Sequence, residues 1–115
     1  MNPTIWIVNE AGHDYDKALE LIPSGELRPL TLGDVNPLRV DRLSKNIARG
    51  IVKFVKPDDY MLISGTPILN AITLSLWLIH HDSCNVLQWN AKQRLYELST
   101  IENNNLVRLL DEELG

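Results

Sequence analysis

Apolar and polar positions along this chain fall into short blocks whose spacing switches between the strand and helix periods. Thr4–Val8 is a β-rich run that stops at Asn9-Glu-Ala-Gly-His-Asp-Tyr-Asp16, a stretch full of turn formers. Asp14 or Asp16 can cap a short helix over Lys17–Ile22, which Pro23-Ser-Gly25 ends. Leu27–Leu32 reads as a second strand, placed by Pro29 at a sheet edge or a bulge. Gly33-Asp34-Val35-Asn36-Pro37 is a loop. Val40, Leu43, Ile47, Ile51 and Phe54 then recur at spacings of three and four, with Arg42, Lys45, Asn46, Arg49 and Lys53 on other faces. This predicts an amphipathic helix of about four turns.

Pro57-Asp-Asp59 stops that helix ahead of a strand at Tyr60–Ile63. Ser64-Gly65 breaks the apolar run, and Thr66-Pro67 opens a helix reaching about His81, with Thr66 as its cap and proline at its first position. Cys84–Trp89 makes a fourth strand, Asn90-Ala-Lys92 a turn, and Arg94–Leu98 a fifth strand returning in a hairpin. The alternation predicts a small α/β fold, a Rossmann-like three-layer sandwich with a mainly parallel sheet of about five strands and a C-terminal hairpin. Residues 1–101 form its single domain, and 102–115 are an acidic helix or a tail. A strand order such as 2-1-3-4-5 would place the loops after strands one and three side by side at a switch point.

Composition narrows the function classes. The 115 residues support one core, and 44% hydrophobic with 23% charged residues is ordinary for a globular chain. A net charge of −4 with scattered Lys and Arg disfavours general binding to nucleic acid. The one cysteine, Cys84, leaves no intramolecular disulfide and no redox or zinc motif. Met1-Asn-Pro-Thr-Ile5 lacks the basic start and apolar core of a signal peptide, and the apolar stretch Ile68–Ile79 is too short to span a bilayer. The expectation is a soluble cytoplasmic protein with no membrane partner and no cofactor.

The candidate site lies where two loops meet at the carboxyl edge of the sheet. One carries Asn9, Gly12, His13, Asp14, Tyr15 and Asp16; the other carries Ser64, Gly65, Thr66 and, one turn on, Asn70. The loop after the second strand adds Gly33, Asp34 and Asn36. Unpaired N–H groups at the start of a helix attract anions, and the side chains supply an imidazole, carboxylates and an aromatic face. The same residue types also serve ordinary turns. No Gly-x-x-x-x-Gly-Lys-Ser/Thr, no Gly-x-Gly-x-x-Gly and no Gly-x-Ser-x-Gly is present. His13 beside Asp14 is a weak acid–base candidate, because adjacent loop residues need not face each other.

His80-His81-Asp82 has ligand-type residues, but neighbours on a helix diverge by about 100°, so helix termination is the better reading and no metal site is expected. Nine of the 12 residues from Ile68 to Ile79 are apolar, the exceptions being Asn70, Thr73 and Ser75. Such a helix is either sheltered by neighbouring elements or meets another subunit, and a homodimer or higher homo-oligomer through the 67–79 helix is expected. Trp6, Trp77 and Trp89 read as core or interface residues, with stacking on a ligand an alternative for Trp89. Arg39, Arg42, Lys45, Arg49 and Lys53 read as a solvated face.

Gly12-His-Asp-Tyr-Asp16, Ser64-Gly-Thr-Pro-Ile-Leu-Asn-Ala71 and Leu87-Gln-Trp-Asn-Ala-Lys-Gln-Arg-Leu-Tyr96 together resemble a group of small proteins from phages, prophages and other mobile elements that lack an assigned activity. The likeness extends to about Leu98 and implies a compact accessory protein acting in the host cytoplasm. The strand–Ser-Gly-Thr-Pro–helix step is also similar, over about a dozen residues, to ligand loops of Rossmann-like domains that sense cyclic oligonucleotides. Those domains sit in larger proteins with an effector, for which this chain has no room.

Three functions follow as expectations. The first is a non-catalytic, oligomeric binding protein that holds a small nucleotide-like ligand at the strand ends, serving a phage as an accessory or counter-defence factor. The second is an inhibitor or interaction module that docks on a host protein. The third is a small nucleotide hydrolase using His13.

Overall fold

Four helices and five strands follow one another in a computed structural model that describes residues 2–10, 12–33, 36 and 38–115. They are β1 (Thr4–Ile7), α1 (Ala18–Leu21), β2 (Glu26–Pro29), α2 (Val40–Phe54), β3 (Tyr60–Leu62), α3 (Pro67–His81), β4 (Ser83–Asn90), β5 (Leu95–Glu102) and α4 (Asn103–Leu114). The strands form one mixed sheet in the order β2-β1-β3-β4-β5. The first four run parallel and β5 returns antiparallel to β4, Trp89 opposite Tyr96 and Ser83 opposite Glu102. This is the order that sets the loops after β1 and β3 side by side.

Side chains alternate across the sheet and feed two apolar clusters. Trp6, Val8, Met61, Cys84 and Val86 meet Leu43, Ile47 and Ile51 of α2 and Leu69 and Trp77 of α3. Ile5, Ile7, Leu62 and Leu87 point the other way, onto Tyr15, Ala18 and Ile22 of the first crossover and Tyr96 of β5. The middle of the α2 stripe read in the sequence packs, with Leu43, Ile47 and Ile51 buried, while Val40 and Phe54 at its two ends are exposed. Pro29 is accommodated because β2 is an edge strand, one of the two placements its sequence allowed. Past Pro29 the backbone keeps bonding to its neighbour, Leu30 N–H donating to Ile7 O at 2.8 Å and Thr31 N–H to Val8 O at 3.1 Å.

The apolar character of α3 is explained mainly by shelter. Leu69, Thr73 and Trp77 are buried, while Ile72, Leu74, Leu76 and Leu78 are partly buried against the same core. Thr73, counted among the polar residues of this helix, faces inward and donates its hydroxyl to Leu69 O at 2.7 Å. Ile79 is left 77% exposed, beside Val52 of α2 at 65%. Asp82 then takes the left-handed conformation (φ 66°) and turns the chain straight into β4.

The fold is stitched by one buried carboxylate. Asp59, 2% exposed, accepts from the Thr4 N–H (3.0 Å), the Trp6 indole (2.9 Å) and the Lys56 N–H (2.9 Å). It ties the end of the α2–β3 turn to β1. At the outer edge of the sheet, β5 runs on to Glu102, four residues beyond its expected end at Leu98, and α4 starts at once. The segment expected as helix or tail is a helix, held by Asn103, whose N–H bonds Asp82 O (2.9 Å) and whose side-chain amide bonds Leu78 O (2.7 Å). No residue of α4 is buried. None of the described helices is long and apolar enough to cross a membrane.

Candidate functional site

The turn from β3 into α3 is the best-built loop at the carboxyl edge. Gly65 (φ +75°) supplies the left-handed step between strand and helix. Around it, Asn9 N–H donates to Ser64 Oγ (3.1 Å), and Ser64 N–H donates to Asn70 Oδ1 (3.1 Å). The Asn70 amide donates to Ser64 O and Thr66 O, both at 2.9 Å. Asn9 is itself buried and accepts the Thr31 hydroxyl at 3.0 Å. Asn9, Ser64 and Asn70 therefore fix the turn, and little of their hydrogen-bonding capacity is left for a ligand.

Thr66 occupies the cap position, with Pro67 next, but its side chain makes no capping bond. Its hydroxyl oxygen is buried with no partner among the described residues. The sequence expectation of a capping Thr is corrected here: the helix start carries no side-chain cap, so its first N–H groups keep their affinity for negative charge.

The loop after β1 forms a second wall. Tyr15 is buried, its hydroxyl pointing at Asn9 O at 3.4 Å. Asp14 Oδ1 accepts the Asp16 N–H at 2.9 Å in a local turn, and among the described residues no hydrogen bond joins its carboxylate to His13. His13 is exposed and lies edge-on to Tyr15, ring centroids 6.2 Å apart. Gly12 (φ +88°) donates its N–H to the Glu10 carboxylate at 2.9 Å.

A third wall, from the β4–β5 hairpin, went unassigned in the sequence except as a stacking option for Trp89. Asn90 Oδ1 accepts the N–H groups of Lys92 (3.1 Å) and Gln93 (3.2 Å), closing the turn. Arg94 follows in the left-handed region (φ 54°). Trp89 and Tyr96, paired across the strands, pack edge to face with centroids 5.0 Å apart. Lys17 reaches over from the first crossover, 5.8 Å from the Trp89 ring centroid, and donates to Arg94 O at 3.1 Å. Burial, followed by the neighbouring Tyr15 and Asp14, raises the Tyr96 hydroxyl above its usual pKa, so it stays a protonated donor.

The three walls enclose a cleft of about 460 Å³ lined by His13, Asp14, Tyr15, Lys17, Ile63, Ser64, Gly65, Trp89, Arg94 and Tyr96. That volume suits a small molecule. Of the residues expected there, His13, Asp14, Tyr15, Ser64 and Gly65 line it; Asn9, Gly12, Thr66 and Asn70 do not. Gly33 is occupied in pairing with Glu10, and Asn36 turns onto the Leu38 N–H; neither lines the cleft. Asp34 lies outside the described residues. Lys17, Arg94 and Tyr96 were not among the residues expected from the sequence, because the hairpin's register brings Arg94 and Tyr96 to this edge and Lys17 meets them only through the strand order.

His81 presents Nε2 to Val55 O at 3.1 Å, joining the end of α3 to the end of α2. Its neighbour His80 points to solvent. Among the described residues, no group of three His, Cys, Asp or Glu side chains is arranged to hold a metal ion.

A family model described as Phage Pam3 gp32-like protein matches residues 3–103. The chain belongs to that phage family, whose match covers the whole sheet, the cleft and the first residue of α4. Comparison with curated proteins and with solved structures finds no match.

Proposed function

We propose that this member of the phage gp32-like family is a non-catalytic binding protein that holds a small nucleotide-like anion at the carboxyl edge of its sheet. One observation carries the reading: a half-exposed indole, Trp89, stands in the same cleft as Lys17, Arg94 and the Gly65 turn. An aromatic face accepts a base or another flat ring, while two cations and an uncapped helix start accept phosphate or carboxylate oxygens. The strand order supports it further, since open α/β sheets bind ligands outside the crevice between β1 and β3. A Rossmann-like, three-layer arrangement and a cyclic oligonucleotide as ligand are the finer forms of this reading, and a counter-defence role by sequestration would follow from them.

The test is native mass spectrometry of the purified chain, followed by calorimetry with mono-, di- and cyclic nucleotides. Binding that Trp89→Ala and Lys17→Ala each weaken at least tenfold supports the proposal. Equal affinity in both variants, or none for any nucleotide, sinks it.

A second reading, docking on a host protein, is supported by the apolar groove between α2 and α3. Val52, Leu76 and Ile79 line it, and assembly through α3 would use the same residues. Recovery of one stoichiometric host protein that Ile79→Glu releases would favour docking.

A further inference from the structure

Two surfaces of this chain have complementary character and lie at opposite edges of the sheet. The first runs along the outer side of α2. Residues Arg39, Arg42, Lys45, Arg49 and Lys53 recur at three- and four-residue spacing and so share one stripe, about 21 Å long at 1.5 Å per residue. Two adjoining grooves border it, and Arg28 of the β2 edge joins the second. Six of the eleven Lys and Arg residues thus line these grooves, against a single described acid, Asp41. Among the described residues none of the six forms an ion pair. The second groove has an apolar floor of Leu30 and Phe54, with Phe54 57% exposed.

The second surface is α4. It is 12 residues long, or about 18 Å, and buries none of them. Leu106, Val107, Leu110 and Leu114 recur at helical spacing, and all are more than 40% exposed. Asp111 and Glu113 flank that stripe, whereas Arg108 is taken up on the opposite side by Glu112 (2.6 Å) and Asn105 (2.5 Å). The helix therefore offers an apolar ridge bordered by unneutralised carboxylates. The α2 grooves offer an apolar floor bordered by unneutralised cations.

We propose that α4 of one molecule docks along α2 and the β2 edge of a second copy. Length, charge and apolar content all match. The docking cannot be intramolecular: β2 and β5 are the two outer strands, four strand spacings or about 19 Å apart, and α4 leaves from β5. Donor and acceptor surfaces on opposite edges make a head-to-tail contact, which yields rings or filaments unless two copies exchange helices. Burying the ridge removes an exposed apolar face that a lone molecule would leave in water.

Sedimentation velocity over a range of protein and salt concentrations, on the full chain, tests this. Multiples of the 13.1 kDa chain mass are expected, shifting to monomer with Asp111→Lys/Glu113→Lys and equally with Arg49→Glu/Lys53→Glu. An equimolar mixture of the two charge-reversed variants should assemble again; a purely structural defect would not be rescued. Circular dichroism confirms that each variant is folded. A wild-type monomer at every concentration overturns the proposal, as does assembly that survives deletion of Asn103–Gly115. Assembly lost only on Ile79→Glu would assign the contact to α3 instead. A monomer that binds a DNA oligonucleotide through Arg49 and Lys53 would make the groove a nucleic-acid site and overturn it too.

Discussion

Gly65 sits so close to Asn9 that a Cβ at position 65 would lie 2.8 Å from the Asn9 Cβ. Because the backbone there is also left-handed (φ +75°), any side chain meets a steric and a conformational penalty together. The tight contact is what lets Asn9 N–H reach Ser64 Oγ and lock the loops after β1 and β3 into one edge.

Gly65→Ala is therefore expected to destabilise the fold by about 2 kcal/mol or more, from left-handed strain plus displacement of Asn9. Urea denaturation measures this directly. An unchanged midpoint would mean that the turn can rearrange. Substitution here is for that reason a poor way to separate binding from folding.

Arg94 gives the clean separation. Its left-handed backbone (φ 54°) is one that glycine adopts at no steric cost, so Arg94→Gly should change stability by no more than about 1 kcal/mol while removing a cation from the cleft. Thermal melts should overlay those of the parent chain, and affinity for a nucleotide anion should fall roughly tenfold, about 1.4 kcal/mol. A tenfold loss accompanied by a collapsed melting temperature would contradict the assignment of Arg94 to the ligand.

Asp59 carries three hydrogen bonds, two from donors on β1 and one from within the α2–β3 turn. Removing its carboxylate in Asp59→Ala leaves the Trp6 indole and two backbone N–H groups without it, at a cost of about 3 kcal/mol or more. Chemical denaturation should show a lower midpoint with an unchanged slope. A shift below about 1 kcal/mol would mean that water replaces the carboxylate.

Burial pushes the Cys84 thiol up to about 12. In the unfolded chain a thiol ionises from about pH 8.5. Between those values the unfolded state has lost its proton and the folded state has not, so stability falls as pH rises. Cys84→Ala should flatten the part of the decline above pH 9, seen in denaturation midpoints across that range. At neutral pH a thiol reagent should label the chain only in denaturant, and fast labelling of the native chain would contradict the buried position.

How far the chain could be read before its structure was known varies by element. The α2 stripe, the Pro67 helix start and the turn-rich loop after β1 were all legible, because helix period, proline geometry and turn chemistry are local properties. The family match over residues 3–103 agrees with the coarser expectation of a phage protein. Sequence spacing alone does not show which polar residues are engaged within the turn itself. Asn9, Thr66 and Asn70 look like ligand donors by type, yet Asn9 and Asn70 are consumed in holding the turn and the Thr66 hydroxyl is buried behind it.

By itself the sequence determined the alternation of strands and helices, the restriction of β2 to a sheet edge or a bulge through Pro29, and the position of the turn at Ser64-Gly65. Those follow from periodicity and from the backbone limits of proline and glycine. Only the tertiary structure decided that Lys17, Trp89 and Arg94 share a cleft with Tyr15, since their meeting depends on strand order and hairpin register across more than seventy residues of chain. It also decided that the apolar surface of α3 is mostly covered while that of α4 is bare. Apolar composition is the same kind of signal in both helices, and whether a neighbour covers it is a property of packing.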